Sequence, residues 1–379
     1  MTNVFHIITP GDHFSPRTGS AVPTVVHGLA GGMAESPFHN HVIVQEGTYQ
    51  PYYTSAPVIE YPRPVVPTPS GRYLDGARGL LGLPRRSIQH YFQPAVDALQ
   101  DREPGIVVAH NAPAVGRLLK RTAHRGVLHA HNDILRTYSR YEASRALEGF
   151  ERIVAVSESL ADQLTPHLPP SLRERLRVVG NGVDTGMFVP GPNSEGPVRV
   201  MFLGRAIPEK GPDVLLKAAR LIGRDDVEFV VVGSHEFNST TALSPYEQRL
   251  RALADDVAGI VRFEPFVERT ALPALLQTAH ILVIPSRWPD PCPLTIGEGM
   301  ATGLAVVAAD RGGIPEALGD AGILFDPDHP DQLAAVLTDL IAHPAHRAAL
   351  AERARERAVA HDWAWSWTEF ERVLDEITD

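Results

Sequence analysis

Two acidic side chains, Asp290 and Glu298, lie on either side of a predicted turn in the segment PSRWPDPCPLTIGEGMA. A proline-rich loop precedes Ile296 and Met300, whose spacing predicts one face of a helix. A helix start presents unpaired N–H groups and the positive end of the helix dipole, so a diphosphate can bind there without a metal ion. One carboxylate can then contact sugar hydroxyls and the other a ribose. The alternative is that Asp290 belongs to a turn and Glu298 only complements the helix dipole.

A second chemical feature is the loop GRAIPEKG, residues 204–211, which follows the apolar run VMFL. The pattern places Arg205 and Lys210 at the carboxyl end of a predicted strand, where open α/β sheets bind ligands. Two fixed cations beside a diphosphate stabilise the charge that develops on a leaving group, a role that Mg²⁺ fills elsewhere. The alternative is a solvated loop in which Lys210 pairs with the adjacent Glu209.

A third feature is the run VLHAHND at the end of another predicted strand. Because side chains alternate along a strand, His129 and His131 are expected on the same face, and such a pair can bind a metal ion. No third ligand follows at a recognisable spacing, so we predict that the chain binds no metal. A His-Asn pair, His110 and Asn111, ends the preceding predicted strand.

The composition limits the classes of protein to which the chain can belong. Its 379 residues and 44% hydrophobic content predict two or three globular domains, and its net charge of -10 argues against nucleic acid as a partner. Residues 1–180 carry 18 Lys and Arg against 15 Asp and Glu, so an anionic acceptor or surface would prefer this half. One cysteine, Cys292, and the absence of a signal-like or 18-residue apolar run predict a cytoplasmic protein.

The chain alternates short apolar runs with helical stretches, which indicates parallel sheets with crossover helices. Strands are predicted at residues 4–8, 41–45, 105–109, 126–131 and 152–156, then at 198–203, 228–232, 261–263, 281–284, 305–308 and 322–325. A Gly- and Pro-rich stretch around residues 179–200 separates the two sets and predicts a domain boundary. Residues 48–70 have many Pro and Tyr without helical spacing and are predicted to form an irregular acceptor-side loop.

The segment with Asp290 and Glu298 resembles the signature of the retaining nucleotide-sugar glycosyltransferases of sequence family 4. That family usually has two Glu separated by seven residues, with Phe-Gly after the first, whereas Pro291 and Cys292 follow Asp290 here. The resemblance implies the α/β fold called GT-B, in which two Rossmann-like domains turn their parallel sheets toward a central cleft. It divides the chain into an acceptor-binding domain at 1–185, a nucleotide-sugar-binding domain at 186–362, and a final helix at 363–379 that crosses back to the first domain.

The resemblance also implies which residues form the site. It makes Arg205 and Lys210 ligands of the diphosphate. It places His131 beside the transferred sugar, with His129 as the alternative. The predicted catalytic residues are His131, Arg205, Lys210 and Asp290, and the predicted donor-binding residues are Gly19, Ser20, Gly204, Gly233, Phe266, Val267, Cys292, Leu294, Thr295 and Glu298. The predicted acceptor-side residues are His110, Asn111, His129, Asn132 and Asp133.

The activity that the resemblance implies is metal-independent, retaining transfer of a sugar from a UDP- or GDP-sugar to a small polar acceptor, as in bacterial natural-product or small-thiol biosynthesis. No cofactor is expected besides the nucleotide sugar as co-substrate. The alternatives are a lipid or polysaccharide glycosyltransferase at a membrane surface, a sugar-nucleotide epimerase or phosphorylase, and a non-catalytic homologue that binds nucleotide sugars. The sequence leaves open whether the chain forms a homodimer, and whether the patch of Arg72, Arg78, Arg85 and Arg86 contacts an acceptor or a membrane.

Overall fold

The computed structural model describes residues 1–33, 35–192, 196–237 and 240–378. These residues form two compact units. The first contains Met1–Asn181 and Trp363–Asp379, and the second contains Gly182–Asp362. The sequence placed this division after residue 185 and again after residue 362.

The first unit is built on a seven-stranded parallel sheet with the order β3-β2-β1-β4-β5-β6-β7. Its strands are β1 (Thr2–Ile7), β2 (Phe38–Gln45), β3 (Val58–Tyr61), β4 (Ile106–His110), β5 (Arg125–Ala130), β6 (Arg152–Ala155) and β7 (Leu176–Val178). Its helices are α1 (Ala21–Gly31), α2 (Pro69–Leu80), α3 (Arg86–Asp97), α4 (Val115–Leu119), α5 (Arg140–Ala146), α6 (Glu158–Leu164), α7 (Pro170–Arg173) and, from the end of the chain, the helix Trp363–Thr378, with a 3-10 turn at Thr165–His167.

The second unit is built on a six-stranded parallel sheet with the order β10-β9-β8-β11-β12-β13. Its strands are β8 (Val198–Leu203), β9 (Val227–Val232), β10 (Ile260–Glu264), β11 (Ile281–Ile284), β12 (Ala305–Ala309) and β13 (Ile323–Phe325). Its helices are α8 (Pro212–Ile222), α9 (Pro245–Ala254), α10 (Leu272–Leu276), α11 (Leu294–Ala301), α12 (Ile314–Leu318), α13 (Pro330–Ala342) and α14 (Pro344–Ala360), and 3-10 turns lie at Pro208–Lys210 and Arg269–Ala271. The terminal helix Trp363–Thr378 is α15.

The strand sequences explain why both sheets are parallel and covered on both faces. The central strands are mostly apolar, such as VEFVVV in β9 and AVVAA in β12, and every residue of these two strands is buried. Strands buried on both faces have this composition because helices cover each side. Local signals then fix the helix starts: Ser244 and Glu247 form a capping box at α9, and Gly211 adopts a left-handed conformation before α8.

The eleven strands predicted from the sequence coincide with observed strands. The largest shift is at β2, which begins at Phe38 and not at residue 41. Two short edge strands, β3 and β7, were not predicted. The prediction of an irregular loop at residues 48–70 is wrong in part, because β3 lies within it, pairs with β2, and is followed by the start of α2 at Pro69.

No helix among the residues that the structure describes is long and apolar enough to cross a membrane. The terminal helix α15 belongs to the first unit, where it packs on α1. A Cβ atom at Gly28 of α1 would lie 2.1 Å from the ring of Trp363, so the glycine leaves the space that the indole fills. Ser366 of α15 also donates a hydrogen bond to the Gly180 carbonyl at 2.7 Å.

We predict that Gly28→Ala lowers the free energy of unfolding by about 1–3 kcal/mol, because the added methyl group overlaps the Trp363 ring. Urea unfolding monitored by tryptophan fluorescence measures the change. Gly31→Ala in the same helix is the matched control, because the nearest atom to its Cβ would be Ser55 Cβ at 3.8 Å. Equal stability of the two variants would contradict the packing of α15 on α1.

Candidate active site

The centre of the candidate site in the second unit is an ion pair between Lys210 and Asp290. The Lys210 Nζ atom donates directly to Asp290 Oδ2. Lys210 ends the 3-10 turn after β8, and Asp290 lies in the loop after β11. These two strands are neighbours and parallel, so their carboxyl ends meet at one edge of the sheet. The structure therefore joins two residues that the sequence assigned to separate motifs.

A tight turn fixes the backbone of Asp290. The Gly313 N–H donates to the Asp290 carbonyl at 2.8 Å, and Gly312 has a φ of 58°. A Cβ atom on Gly312 would lie 2.4 Å from the Pro289 carbonyl carbon, so a side chain would displace the loop that carries Asp290. Only glycine combines this conformation with this close approach.

A second ion pair joins the loop after β11 to the first turn of α8. Arg287 donates two hydrogen bonds of 2.7 Å to the carboxylate of Asp213, which also accepts from Tyr246 at 2.6 Å and Lys217 at 2.9 Å. Burial alone would raise the pKa of Asp213, but the hydrogen bonds from Arg287, Tyr246 and Lys217 outweigh it and lower the pKa. The backbone N–H groups of Arg287 and Trp288 also donate to the Glu209 carbonyl. These bonds keep Lys210 close to Asp290.

The second predicted carboxylate, Glu298, has its own cation. Glu298 lies in α11, its side chain is 3% exposed, and its Oε1 accepts a hydrogen bond of 2.5 Å from Arg269 Nη1. The Arg269 guanidinium also lies over the Phe188 ring, 5.4 Å from its centroid. Sequence reasoning did not assign Arg269 to the site, because nothing in the local pattern relates it to a residue 29 positions later.

Arg205 has different partners from those of Lys210. Its side chain is exposed, and its Nε and Nη2 atoms donate to the His235 carbonyl at 3.1 and 2.8 Å. The guanidinium also lies 5.5 Å from the centroid of the Phe237 ring. The two cations that the sequence grouped around one diphosphate thus occupy different positions in this conformation.

Backbone groups make up much of the rest of the site in this unit. Gly233 has a φ of 123°, and a Cβ atom there would lie 1.9 Å from the Gly204 carbonyl oxygen, so the two predicted glycines pack against each other. The Phe266 N–H donates to the Ser234 hydroxyl at 3.1 Å, and Val267 packs partly buried against the core. Cys292 precedes α11, and the N–H groups of Leu294 and Thr295 lie in the first turn of that helix, where intrahelical acceptors are missing.

In the first unit, Gly19 and Ser20 end the loop between β1 and α1. Ser20 is the N-cap residue of α1, and its N–H donates to the Thr18 hydroxyl at 3.1 Å. Asp12 lies in the same loop and was not predicted. Burial raises the pKa of Asp12 to about 6, although a hydrogen bond from Ser20 opposes the shift.

Four histidines of the first unit, His6, His110, His129 and His131, form a buried cluster. His110 Nδ1 lies 2.9 Å from His131 Nε2, and His6 Nδ1 lies 2.9 Å from His110 Nε2. The ring centroids of His129 and His131 are 4.3 Å apart, and the His129 ring stacks on Phe370 of α15. His131 remains 9% exposed and His129 only 1%, so His131 is the more accessible of the two predicted candidates.

The expectation that the His129–His131 pair lacks a third potential ligand is wrong. Nitrogen atoms of His110, His129 and His131 lie within 4.8 Å of one another. His110 comes from the neighbouring strand, which spacing along the sequence could not reveal. Its nitrogen atoms, however, face His6 and His131 at hydrogen-bond distance, and this arrangement favours mutual hydrogen bonding over metal coordination.

The other predicted acceptor-side residues surround this cluster. Asn111 has a φ of 52°, and its Oδ1 accepts from the His131 N–H at 2.7 Å, which fixes the backbone at His131. Asn132 is exposed. The Oδ1 atom of Asp133 is buried and has no hydrogen-bond partner among the residues that the structure describes.

The predicted arginine patch is less basic than its sequence indicates. Arg85 donates to Glu142 at 2.6 Å and lies 3.9 Å from the centroid of the Tyr138 ring, and Arg78 donates to the Pro84 carbonyl. Arg72 and Arg86 are exposed. Large apolar side chains accompany them at the surface: Tyr73 is 82% exposed, Leu74 66%, Leu80 83% and Leu81 72%.

Comparison with known families identifies the chain. A family model described as "Glycosyltransferase Family 4" matches residues 22–186, and one described as "Glycosyl transferases group 1" matches residues 187–357. The two matches adjoin and include most of both units. The chain belongs to glycosyltransferase family 4.

Known relatives of this glycosyltransferase include spore coat protein SA of Bacillus subtilis, which is 29% identical over 70% of the chain and 77% of that protein. Phosphatidyl-myo-inositol mannosyltransferase of Mycolicibacterium smegmatis is 33% identical over 53% of the chain and 52% of its own length. D-inositol 3-phosphate glycosyltransferase of Nocardiopsis dassonvillei is 32% identical over 60% and 55%. The matches thus span about half the length of the last two relatives.

Solved structures confirm the predicted α/β, GT-B fold of this glycosyltransferase. Sucrose-phosphate synthase from Thermosynechococcus elongatus superposes with a TM-score of 0.75 at 18% identity, over 100% of this chain and 99% of that one. HepE from Anabaena, solved in complex with UDP, gives a TM-score of 0.74 at 18% identity, over 99% and 100%. At this identity the likeness shows the fold alone.

We predict that Asp12 makes the stability of the protein depend on pH. Because its folded-state pKa of about 6 exceeds the ordinary aspartate value of 3.8, protonated Asp12 stabilises the fold at low pH, and this contribution is lost as the pH rises through about 6. The free energy of unfolding of Asp12→Asn minus that of the wild type should therefore increase by about 1–3 kcal/mol between pH 4 and pH 7.5.

Urea unfolding at the two pH values measures this difference. Glu46→Gln removes an exposed carboxylate of the same unit and controls for the change in net charge. A difference between Asp12→Asn and wild type that stays constant with pH, or that decreases as the pH rises, would contradict the assignment.

Proposed function

We propose that this glycosyltransferase is a cytoplasmic, metal-independent, retaining enzyme. It moves a sugar from a UDP- or GDP-sugar to a small polar acceptor. The observation that carries the proposal is the Lys210–Asp290 ion pair, formed between loops at the carboxyl ends of β8 and β11. This edge of an open parallel sheet is where ligands bind in such folds.

The ion pair allows a carboxylate and a diphosphate to occupy the same small region. An unpaired Asp290 would repel a diphosphate at the start of α11, whereas Lys210 offsets that charge. Lys210 and the N–H groups of Leu294 and Thr295 then bind the phosphates, and Asp290 accepts hydrogen bonds from hydroxyls of the sugar. Glu298, held by Arg269, is left to bind the ribose.

Arg205 completes the phosphate site by moving its side chain. Its two N–H groups now donate to one neutral acceptor, the His235 carbonyl. Exchange of that carbonyl for a phosphate oxygen gives stronger, charge-assisted hydrogen bonds. The departing diphosphate, stabilised by Arg205 and Lys210, accepts the proton of the acceptor hydroxyl on the face from which it leaves. That path retains the configuration of the sugar and needs no covalent intermediate on the protein.

The acceptor class is supported by the relatives and by the charge of the first unit. Several relatives are D-inositol 3-phosphate glycosyltransferases, such as that of Thermobifida fusca, 31% identical over 70% of this chain and 62% of that protein. A small polyol phosphate agrees with the basic excess of residues 1–180. We place the reaction in bacterial natural-product or small-thiol biosynthesis.

A second candidate is a lipid or polysaccharide glycosyltransferase at a membrane surface. It is favoured by the exposed apolar side chains on and after α2, with Leu80 83% and Leu81 72% exposed beside Arg86. A relative named phosphatidyl-myo-inositol mannosyltransferase also supports it. We rank it second because Arg85 and Arg78 are bound to groups of the protein itself.

Calorimetric titration of UDP, GDP and ADP in the presence of EDTA tests the donor site. We expect the wild type to bind one of them selectively, and Lys210→Ala to weaken that binding by about 1.5–3 kcal/mol through loss of a charge-assisted hydrogen bond. Lys120→Ala is the matched control, because it removes an exposed lysine of the first unit that pairs with Glu148.

Three outcomes of the titration would contradict the proposal. Absence of nucleotide binding would favour a protein without a functional donor site. Binding only after addition of Mg²⁺ would contradict metal independence. Equal weakening by Lys210→Ala and Lys120→Ala would show that overall charge, and not the position of Lys210, determines the affinity.

A further inference from the structure

A chain of hydrogen-bonding side chains crosses the sheet of the first unit. It takes one residue from each of β2, β1 and β4 and ends just after β5, and these four strands are neighbours in the sheet. Asn40 Oδ1 lies 2.9 Å from His6 Nε2, and His6, His110 and His131 are joined by two further contacts of 2.9 Å. All four side chains are at most 9% exposed. Water therefore has little access to these side chains, and it cannot easily replace one of them as a hydrogen-bond donor or acceptor.

The direction of these hydrogen bonds follows from Asn40. Its Nδ2 atom faces the sulfur of Met33 at 3.4 Å, and a thioether can accept a hydrogen bond but cannot donate one. The carbonyl end of the amide therefore faces His6. An amide oxygen only accepts, so His6 must carry its proton on Nε2.

Burial keeps the histidines neutral, so each one has a single ring N–H. Burial lowers the pKa of His6 to about 4 and that of His131 to about 3, and burial together with the neighbouring histidines lowers the pKa of His110. A neutral imidazole that donates through one nitrogen must accept through the other. His6 therefore accepts at Nδ1 from His110 Nε2–H, and His110 accepts at Nδ1 from His131 Nε2–H.

We propose that Asn40, through His6 and His110, fixes His131 in the Nε2–H tautomer, so that its Nδ1 atom is an obligate hydrogen-bond acceptor. Asn40, His6 and His110 are positioning residues in this scheme. The hydrogen bonds of His131 involve its Nε2 atom and its backbone N–H, and the side chain retains 9% exposure. It can therefore accept a hydrogen bond from a ligand hydroxyl, but it cannot donate one or act as a general acid.

This inference rests on the proposed function only for the identity of the ligand, a sugar hydroxyl. A ligand group that faces His131 Nδ1 must donate a hydrogen bond. A hydroxyl can donate one, whereas a carbonyl or a deoxy position cannot. A substrate with an oxygen that only accepts at that position would be rejected, because two acceptors would face each other away from bulk water.

The test is long-range ¹H–¹⁵N NMR of the full-length protein labelled with ¹⁵N-histidine, without any ligand. The chemical shifts of the two ring nitrogens show which of them is protonated. We expect His6, His110 and His131 all to be Nε2–H tautomers whose shifts do not change between pH 6 and pH 8. Nδ1–H at His131, or protonation of any of the three within this range, would overturn the inference.

Two variants test the role of Asn40. Asn40→Leu removes the acceptor from His6, and we expect a mixture of tautomers at His131. Asn111→Gly is the matched control, because the amide that it removes accepts a hydrogen bond from the backbone N–H of His131 and not from an imidazole nitrogen. An unchanged His131 tautomer in folded Asn40→Leu would overturn the role of Asn40, and if that variant does not fold, the wild-type spectrum alone decides.

Titration with Zn²⁺ separates the inference from a metal site. If His131 is held in the Nε2–H tautomer, we expect weak or no Zn²⁺ binding, because coordination would break the His110–His131 hydrogen bond. Stoichiometric binding that shifts the resonances of His110, His129 and His131 together would overturn it. These measurements concern the first unit without nucleotide, so failure of the donor-site titration would leave their result unaffected.

Discussion

The parallel pairing of β8 with β11 is the constraint on which the donor site depends. Because the two strands run in the same direction as neighbours, the loops that follow them leave the sheet at the same edge. Lys210 and Asp290, 80 positions apart, are thereby brought into direct contact. The Asp213–Arg287 ion pair and the close packing of Gly312 against Pro289 and Asp290 also hold the loop after β11 in place.

Parallel pairing of neighbouring strands has a different consequence in the first unit. There the strands place polar side chains across the sheet in a region without bulk water, where an unpaired polar group is costly. Asn40, His6, His110 and His131 satisfy most of this requirement by hydrogen bonding to one another. His129 does not, since both of its ring nitrogens lack a partner among the residues described, and it is stabilised by stacking on Phe370.

Much of the fold could be predicted because the central strands are apolar and glycine- or proline-rich segments separate them from helices. Edge strands β3 and β7 were missed, since they have four and three residues and lack that composition. Lys210, Asp290 and Glu298 could be proposed as site residues from local motifs alone. Arg269, Asp12, His6 and Asn40 were not, because their roles depend on which strands are adjacent and on burial, and neither follows from local spacing.

The measurement that tests the central claim most directly is ¹H NMR of sugar transfer in the presence of EDTA. The protein is incubated with UDP-glucose or GDP-mannose and with D-inositol 3-phosphate as the acceptor. We expect release of the nucleoside diphosphate and a new glycoside whose anomeric configuration is that of the donor. A product of inverted configuration would contradict the retaining mechanism, and absence of transfer from either donor to this acceptor would contradict the proposed donor and acceptor classes.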